Sequence, residues 1–331
     1  MLLRLITHRF FGCAALLALG AAPDRCEGSS TTALSRNSIV VFQDWDAGSN
    51  TAGSVVVGGN VLGQATDVAV GTGMVTPGEV SLTVVGDLAN GNVNMQKGSA
   101  RIGGDLVANI NLNQAGNHVA LAGTKFGNVN GGPVIAGGIP DISDLIAELT
   151  AESAAFAALT PNSTIDTSDQ NATYFNAAPD SDHRAVFDLN FEDLFNNPNA
   201  RFELNANGAD EVIINVSGGG AMNNNFGGSF SNAPEELISS IVWNFYDATD
   251  FVSNRQMWGS LLAPSARVRL NQNLEGSLAA GSLVQRAEVH FPTSTVSSPL
   301  APVIPEPSMM LNFLGLAAAA AIRRPIQQGW S

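Results

Sequence analysis

The sequence predicts a mainly β fold, a β-solenoid with one long amphipathic α-helix packed alongside, and three observations carry that prediction. Charged residues make up only 13% of the 331 residues while glycine occurs 34 times. That balance suits neither a solvated disordered chain nor a helical bundle, and it fits many short strands joined by tight turns. Short aliphatic runs also recur with glycine punctuation, and a single segment after Pro140 carries helical periodicity.

Residues 1–22 read as an export signal: Arg4 and Arg9 precede an apolar run from Phe10 to Leu19, and small residues Gly20, Ala21 and Ala22 follow. Residues 23–37 form a leader. Cys13 lies within the apolar run, so after removal of the signal only Cys26 remains and no intramolecular disulfide can form. The 15 basic residues, four of them in the two end segments, stand against 29 acidic ones. A body this acidic disfavours nucleic acid and anionic lipid as partners.

The body, residues 38–300, opens with the repeating runs "SVVVGGNVLG" (54–63), "LTVVGDLANGNVN" (82–94), "ARIGGDLVANINLN" (100–113) and "HVALAGTKFGNVNG" (118–131). Gly86, Gly104 and Gly123 are spaced by 18 and 19 residues, and Gly259 and Gly276 by 17. A repeat of that length without room for a helix is one coil of a solenoid, each coil rising by one inter-strand spacing and burying its inward Val, Leu and Ile against the next. A β-sandwich is the competing arrangement. The glycines are expected at corners with positive φ. Asparagines cluster after the strands, at Asn92 and Asn94, Asn109, Asn111 and Asn113, Asn128 and Asn130, and Asn271 and Asn273. Stacked coil on coil, their amides would bond as ladders.

The segment "PDISDLIAELTAESAAFAALTP" places Ile142, Leu145, Ile146, Leu149, Phe156 and Leu159 on one stripe and predicts a helix over about 141–160. Asp141 or Ser143 caps its start and Pro161 ends it. Residues 161–185 read as polar loop, and "RAVFDLNFEDLF" and "EVIINVSG" resume strand character. The glycine-rich stretch 216–230 lacks the Lys and helix start of a phosphate cradle and reads as a surface loop.

The C-terminal segment, 301–331, reads "VIPEPSMMLNFLGLAAAAAIRRPIQQGW" in its main part. Its apolar run from Met309 to Ile322 is shorter than the roughly 20 residues of a membrane span. A basic stop after it allows transient membrane insertion, with the arginines on the cytoplasmic side. Pro305, Glu306, Pro307, the apolar run, then Arg323 and Arg324 together resemble a PEP-CTERM sorting signal, whose processing partner is an exosortase-type membrane enzyme. The extension "PIQQGWS" after the arginines departs from that pattern.

A second resemblance spans most of residues 38–291. "SIVVFQDWDAGSNTAGSVVVGGNV" (38–61), "SIVWNFYDATDF" (240–251) and "MWGSLLAPSARVRLNQNLEGSLAAGSLVQRAEVHF" (257–291) resemble the choice-of-anchor A domain, a family described as bacterial adhesive domains. The match is loose around 161–235. This resemblance implies an exported protein of the cell surface or extracellular matrix, adhesive or structural and not an enzyme, with an extracellular polysaccharide or surface protein as partner.

The search for chemistry finds little to set against that. His118, His183 and His290 are far apart and in no metal-ligand spacing, and His290 beside Phe291 reads as a structural hydrogen-bonder. Asp87 and Asp105 follow equivalent glycines, so in stacked coils they would stand about 5 Å apart, the separation of a retaining glycosidase pair. The series Asn60, Asp87, Asp105, Thr124 at that position reads instead as a turn site tolerant of small polar residues. Asp44 with Asp46 and Asp247 with Asp250 could each offer oxygens to Ca²⁺ but read as turns or caps. No catalytic, cofactor or metal residues are therefore assigned. A polysaccharide-active β-helix enzyme is the alternative, followed by an ice-binding protein, for which the expected flat ranks of threonine are missing.

Overall fold

The aliphatic repeats form short strands that pair in parallel with the equivalent strand one coil away. The computed structural model describes residues 32–71, 75, 78–195, 201–224 and 229–300. Along one face, strands Ile39–Val41, Val55–Val57, Val80–Val84, Ser99–Ile102, Val119–Leu121 and Val134–Ala136 stack in chain order. Their register aligns Val40, Val56, Thr83, Arg101, Ala120 and Ile135 in one outward column. The flanking Ile39, Val41, Val55, Val57, Leu82, Val84, Ile102 and Val119 point inward and are fully buried. A second face carries Trp45–Ala47 and Val61–Gly63, continued by single bridges at Leu88, Leu106 and Lys125. A third carries Thr66–Val68, Asn92–Met95, Asn109–Leu112 and Val129–Asn130. Period-two alternation on three short sides gives each coil an aliphatic interior and a polar exterior.

The second half repeats the plan. Strands Arg184–Asn190, Glu211–Ser217, Ile241–Asn244, Ser260–Leu270 and Leu278–Gln285 stack in parallel on the first face. The last of them pairs in parallel with Ile39–Val41, setting Leu278 beside Ile39. The first strand therefore sits in the middle of the sheet: the first half of the chain builds outward from that junction, and the second half starts at the far edge with Arg184–Asn190 and returns to it. The fold is mainly β, with extended parallel sheets.

The helix α1 (Ser143–Ala157) carries the chain between the two ends along the first face. Leu149 and Phe156 bury against Val40, Val56, Val186, Ile213, Val242, Leu262 and Ala279, with Ile142, Leu145 and Leu159 packed at the margin. Beneath α1 the outward positions are apolar except at Asn215 and Asn244, which bond to the helix. Neither Asp141 nor Ser143 is the expected cap: the N-cap position is Ile142, and no side chain caps the first turn. Asp141 Oδ1 instead accepts the Ser143 N–H at 2.9 Å and the Ser143 hydroxyl at 2.7 Å in the turn leading into the helix. Glu152 and Ser153 interrupt the apolar stripe yet are buried.

The two halves differ in what fills the interior. From Val186 to Ile213 and from Ile213 to Val242 the aligned positions lie 27 and 29 residues apart, against 18 and 19 from Thr83 to Arg101 and on to Ala120. The long coils of the second half enclose rings. The coil from Val56 to Thr83, also 27 residues, encloses aliphatic side chains and the 16-residue coil from Val40 to Val56 buries Trp45, so composition and not length alone sets the filling. Phe175 lies 5.4 Å from Phe187, 5.2 Å from Phe202 and 5.1 Å from Phe230, and Trp243 stacks on Phe230 at 5.9 Å. Such offset and edge-on pairs add to the burial term that dominates core stability.

Four expectations about strands, loops and glycines need correction. The strand character expected through "RAVFDLNFEDLF" ends at Asn190, and Phe191–Phe195 is a short helix. Residues 161–185 are not all loop: strands Thr164–Asp166 and Ala172–Asn176 lie there, the first antiparallel to the second. Their polar composition hid them, with Ile165 and Phe175 the apolar side chains packed on the core. The stretch 216–230 is not simply a surface loop, since Gly220–Asn224 pairs in parallel with Ala248–Ser253. Gly86, Gly104 and Gly123 are not positive-φ corners, although Gly259, at φ +98°, is. Close approach between coils, described next, is what demands glycine at those three positions.

Candidate functional site

Two ladders of polar side chains run up the outside of the coil stack. At the corner between the first and second faces, Asp44 Oδ1 accepts the Asn60 N–H at 2.7 Å and Asn60 Oδ1 accepts the Asp87 N–H at 2.8 Å. Asp87 Oδ1 then accepts the Asp105 N–H, and Asp105 Oδ1 the Thr124 N–H, each at 2.7 Å. Each side chain thus caps the backbone of the next coil, lying over the preceding glycine. A Cβ on Gly59, Gly86, Gly104 or Gly123 would fall within 3.0 Å of that capping oxygen. Glycine followed by a short polar acceptor is the motif that this geometry selects.

Asp87 and Asp105 are therefore brought onto one column in neighbouring coils, each with one carboxylate oxygen committed to a backbone N–H. Among the other acids, Asp46 pairs with Arg286 at 2.6 Å, and Asp247 Oδ2 accepts the Gly218 N–H at 3.3 Å. Asp250 lies in the strand Ala248–Ser253. Among the described residues, no three His, Cys, Asp or Glu side chains converge as a metal site.

The third face carries a broader array. Asp67, Asn94, Asn111 and Asn130 align in one outward column. Asn130 Nδ2 donates to Asn111 Oδ1 at 2.8 Å, Asn111 Nδ2 to Asn94 Oδ1 at 2.8 Å, and Asn94 Nδ2 to Asp67 Oδ1 at 2.6 Å. A carboxylate is well suited to end such a chain, because it accepts and has nothing to donate. Asn92 and Asn109 align in a second column, with the Asn128 N–H bonded to Asn109 Oδ1 at 2.9 Å. In a third, Asn113 Nδ2 donates to Gln96 Oε1 at 3.0 Å, and Gln96 Nε2 to Asp67 Oδ2 at 3.1 Å. Strand pairing sets one spacing of this lattice at about 4.8 Å. The amides are held by one another.

The histidines stand apart. His118 Nδ1 is 3.3 Å from Ser99 Oγ, and His183 Nδ1 is 3.1 Å from the Gly208 carbonyl. His290 lies between Glu288 Oε2 at 2.6 Å and Glu275 Oε1 at 2.9 Å. Burial pushes its pKa down, but hydrogen bonds and charge from the two carboxylates outweigh burial and raise it overall.

A family model described as "Putative Ice-binding-like adhesive domain" matches residues 31–291. The chain belongs to that family. No curated protein matches the chain. The crystal structure of an ice binding protein from an Antarctic bacterium, Flavobacteriaceae, is similar at 10% identity over 80% of this chain and 82% of that one. Its TM-score of 0.30 is too low to bear on fold or function.

Within this adhesive-domain chain, the segments singled out from the sequence do structural work. Trp243 Nε1 donates to the Trp258 carbonyl at 2.9 Å, and Asn244 bonds α1 through Ser153. Sequence reasoning missed Asn215, Asn244, Glu152 and Ser153, all buried. The available signal was a pair of polar residues set between Leu149 and Phe156 on an apolar stripe. The sorting residues Pro305, Glu306, Pro307, Arg323 and Arg324, like the signal at 1–22, lie outside the described residues.

Proposed function

We propose that this chain is an exported, non-catalytic adhesive protein whose body is a β-solenoid of choice-of-anchor A type. In this reading, its C-terminal segment acts as a PEP-CTERM signal, processed by an exosortase-type enzyme for display at the cell surface or in the extracellular matrix. The observation that carries the reading is the amide lattice of Asp67, Asn94, Asn111 and Asn130 with its flanking columns. Preorganised amides offer donors and acceptors to sugar hydroxyls at little ordering cost, and weak individual contacts add up over many displayed copies.

The test is binding to isolated exopolysaccharide, comparing the chain with an Asn94→Ala/Asn111→Ala variant. A loss of about tenfold or more in avidity is expected, and equal binding by the variant would remove the lattice from the reading. Mass spectrometry of surface extracts tests the sorting step, since an intact tail on the displayed form contradicts it.

A second reading has one observation in its favour: the family description includes ice-binding-like domains. A flat array at regular spacing suits a lattice-forming ligand too, although its side chains are amides rather than threonines. An ice-recrystallisation assay separates the two.

A further inference from the structure

The two ends of the coil stack are finished differently. At one pole the edge strand Arg184–Asn190 is covered: the Asn162 and Ser163 N–H groups bond the Val186 carbonyl at 3.0 and 3.1 Å, and Asn162 Oδ1 accepts the Val186 N–H at 2.7 Å. Short α2 (Phe191–Phe195) follows that strand directly. At the other pole the sheets simply stop. Among the described residues no strand pairs with the outer edge of Val134–Ala136 or of Val129–Asn130.

Exposed large apolar side chains gather at this open pole. Val107 is 51% exposed, Phe126 68%, Ile135 45% and Ile139 71%. Charge is distributed to match. In a chain of net charge −14, no Asp or Glu occurs from Leu106 to Pro140, and Lys125 is the one Lys or Arg there. Lys125 takes the column position that Val61, Leu88 and Leu106 fill in earlier coils.

We infer that the open pole is a self-association surface whose occupant is a second copy of this chain, joined edge to edge at Val134–Ala136 about a two-fold axis. An unpaired parallel edge with apolar neighbours is a template for another strand. Two acidic copies repel over most of their surfaces, and the carboxylate-free pole is where they can approach without that repulsion. The described chain ends on the closed half, with the Ser297 N–H bonded to Glu211 Oε1 at 2.7 Å. The inference is independent of the glycan-binding reading.

The experiment is sedimentation equilibrium on the full chain across concentration, with hydrogen exchange of the 134–136 amides alongside. A concentration-dependent dimer is expected, with those amides protected only at high concentration. Ile135→Asp and Ile139→Asp place carboxylates on the pole and should weaken association at least tenfold, partly restored by added salt because like-charge repulsion is screened. Asn190→Asp, the same change in charge at the closed pole, should leave it unaltered. A monomer at every concentration overturns the inference. So does a dimer indifferent to Ile135→Asp, or 134–136 amides protected independently of concentration, which would mean that the chain's own end segments cover the edge.

Discussion

Asn244 and Ser153, 91 positions apart, hold each other by two hydrogen bonds: the Ser153 hydroxyl donates to Asn244 Oδ1 at 2.6 Å, and Asn244 Nδ2 donates to the Ser153 carbonyl at 2.9 Å. Asn244 Nδ2 also donates to Asn215 Oδ1 at 2.8 Å, and Asn215 Nδ2 to the Phe156 carbonyl at 2.7 Å. A buried two-rung amide ladder thus ties two strands to the C-terminal end of α1, adding a side-chain donor to the Ser153 and Phe156 carbonyls. Asn244→Ala leaves these buried groups unpaired and should destabilise the fold by about 2–4 kcal/mol. Urea denaturation checks this, and Ser153→Ala in the same chain should add less than its separate effect.

Gly104 tests the inter-coil spacing. Its position faces both Asp87 Oδ1 and the Gly86 backbone within 3.0 Å of an added Cβ. Gly104→Ala should cost about 1–3 kcal/mol, through displacement of the coil rather than loss of backbone freedom. Asp87→Gly should not restore stability in the double variant, because the Gly86 backbone remains in the way. Thermal melting of the four chains settles the point.

The His290 bridge makes part of the stability depend on pH. Its pKa is raised in the folded chain above the ordinary 6.5 by Glu288 and Glu275 against the opposing effect of burial. A raised pKa means that the contribution is fully present below the unfolded value and is lost as pH rises through the folded one. The melting temperature should therefore fall as pH rises above the ordinary 6.5 and through the raised folded value. His290→Gln should flatten that slope.

Glu152 gives a dependence of the same sign at lower pH. It is fully buried, and both its oxygens lie 3.1 Å from the Ala33 N–H. Burial raises its pKa, against the bonds from Ser298 and Ala33. Stability from the protonated form is complete below the ordinary 4.5 and declines as pH climbs through the folded value. Glu152→Gln, which keeps an acceptor and removes the charge, should be more stable than the parent at neutral pH, with the gain vanishing in acid. Chemical denaturation at two pH values measures it.

Local pattern sufficed for whatever depends on spacing along the chain. The recurrence at Gly86, Gly104 and Gly123, with the asparagines trailing each strand, already implied layers sharing an aliphatic interior. The stripe from Ile142 to Leu159 implied a helix with one face to bury. Those signals are periodic because each coil meets the same environment as its neighbour. Tertiary structure decided what depends on which coil lies next to which. Only it sets Leu278 beside Ile39, placing the first strand mid-sheet, and only it puts Asn244 under Ser153. Pairing energy is almost indifferent to the sequence distance it spans, so neither contact leaves a period to read. It also assigned the glycines their reason, since room for an oxygen from the coil before is a property of two coils and not of one.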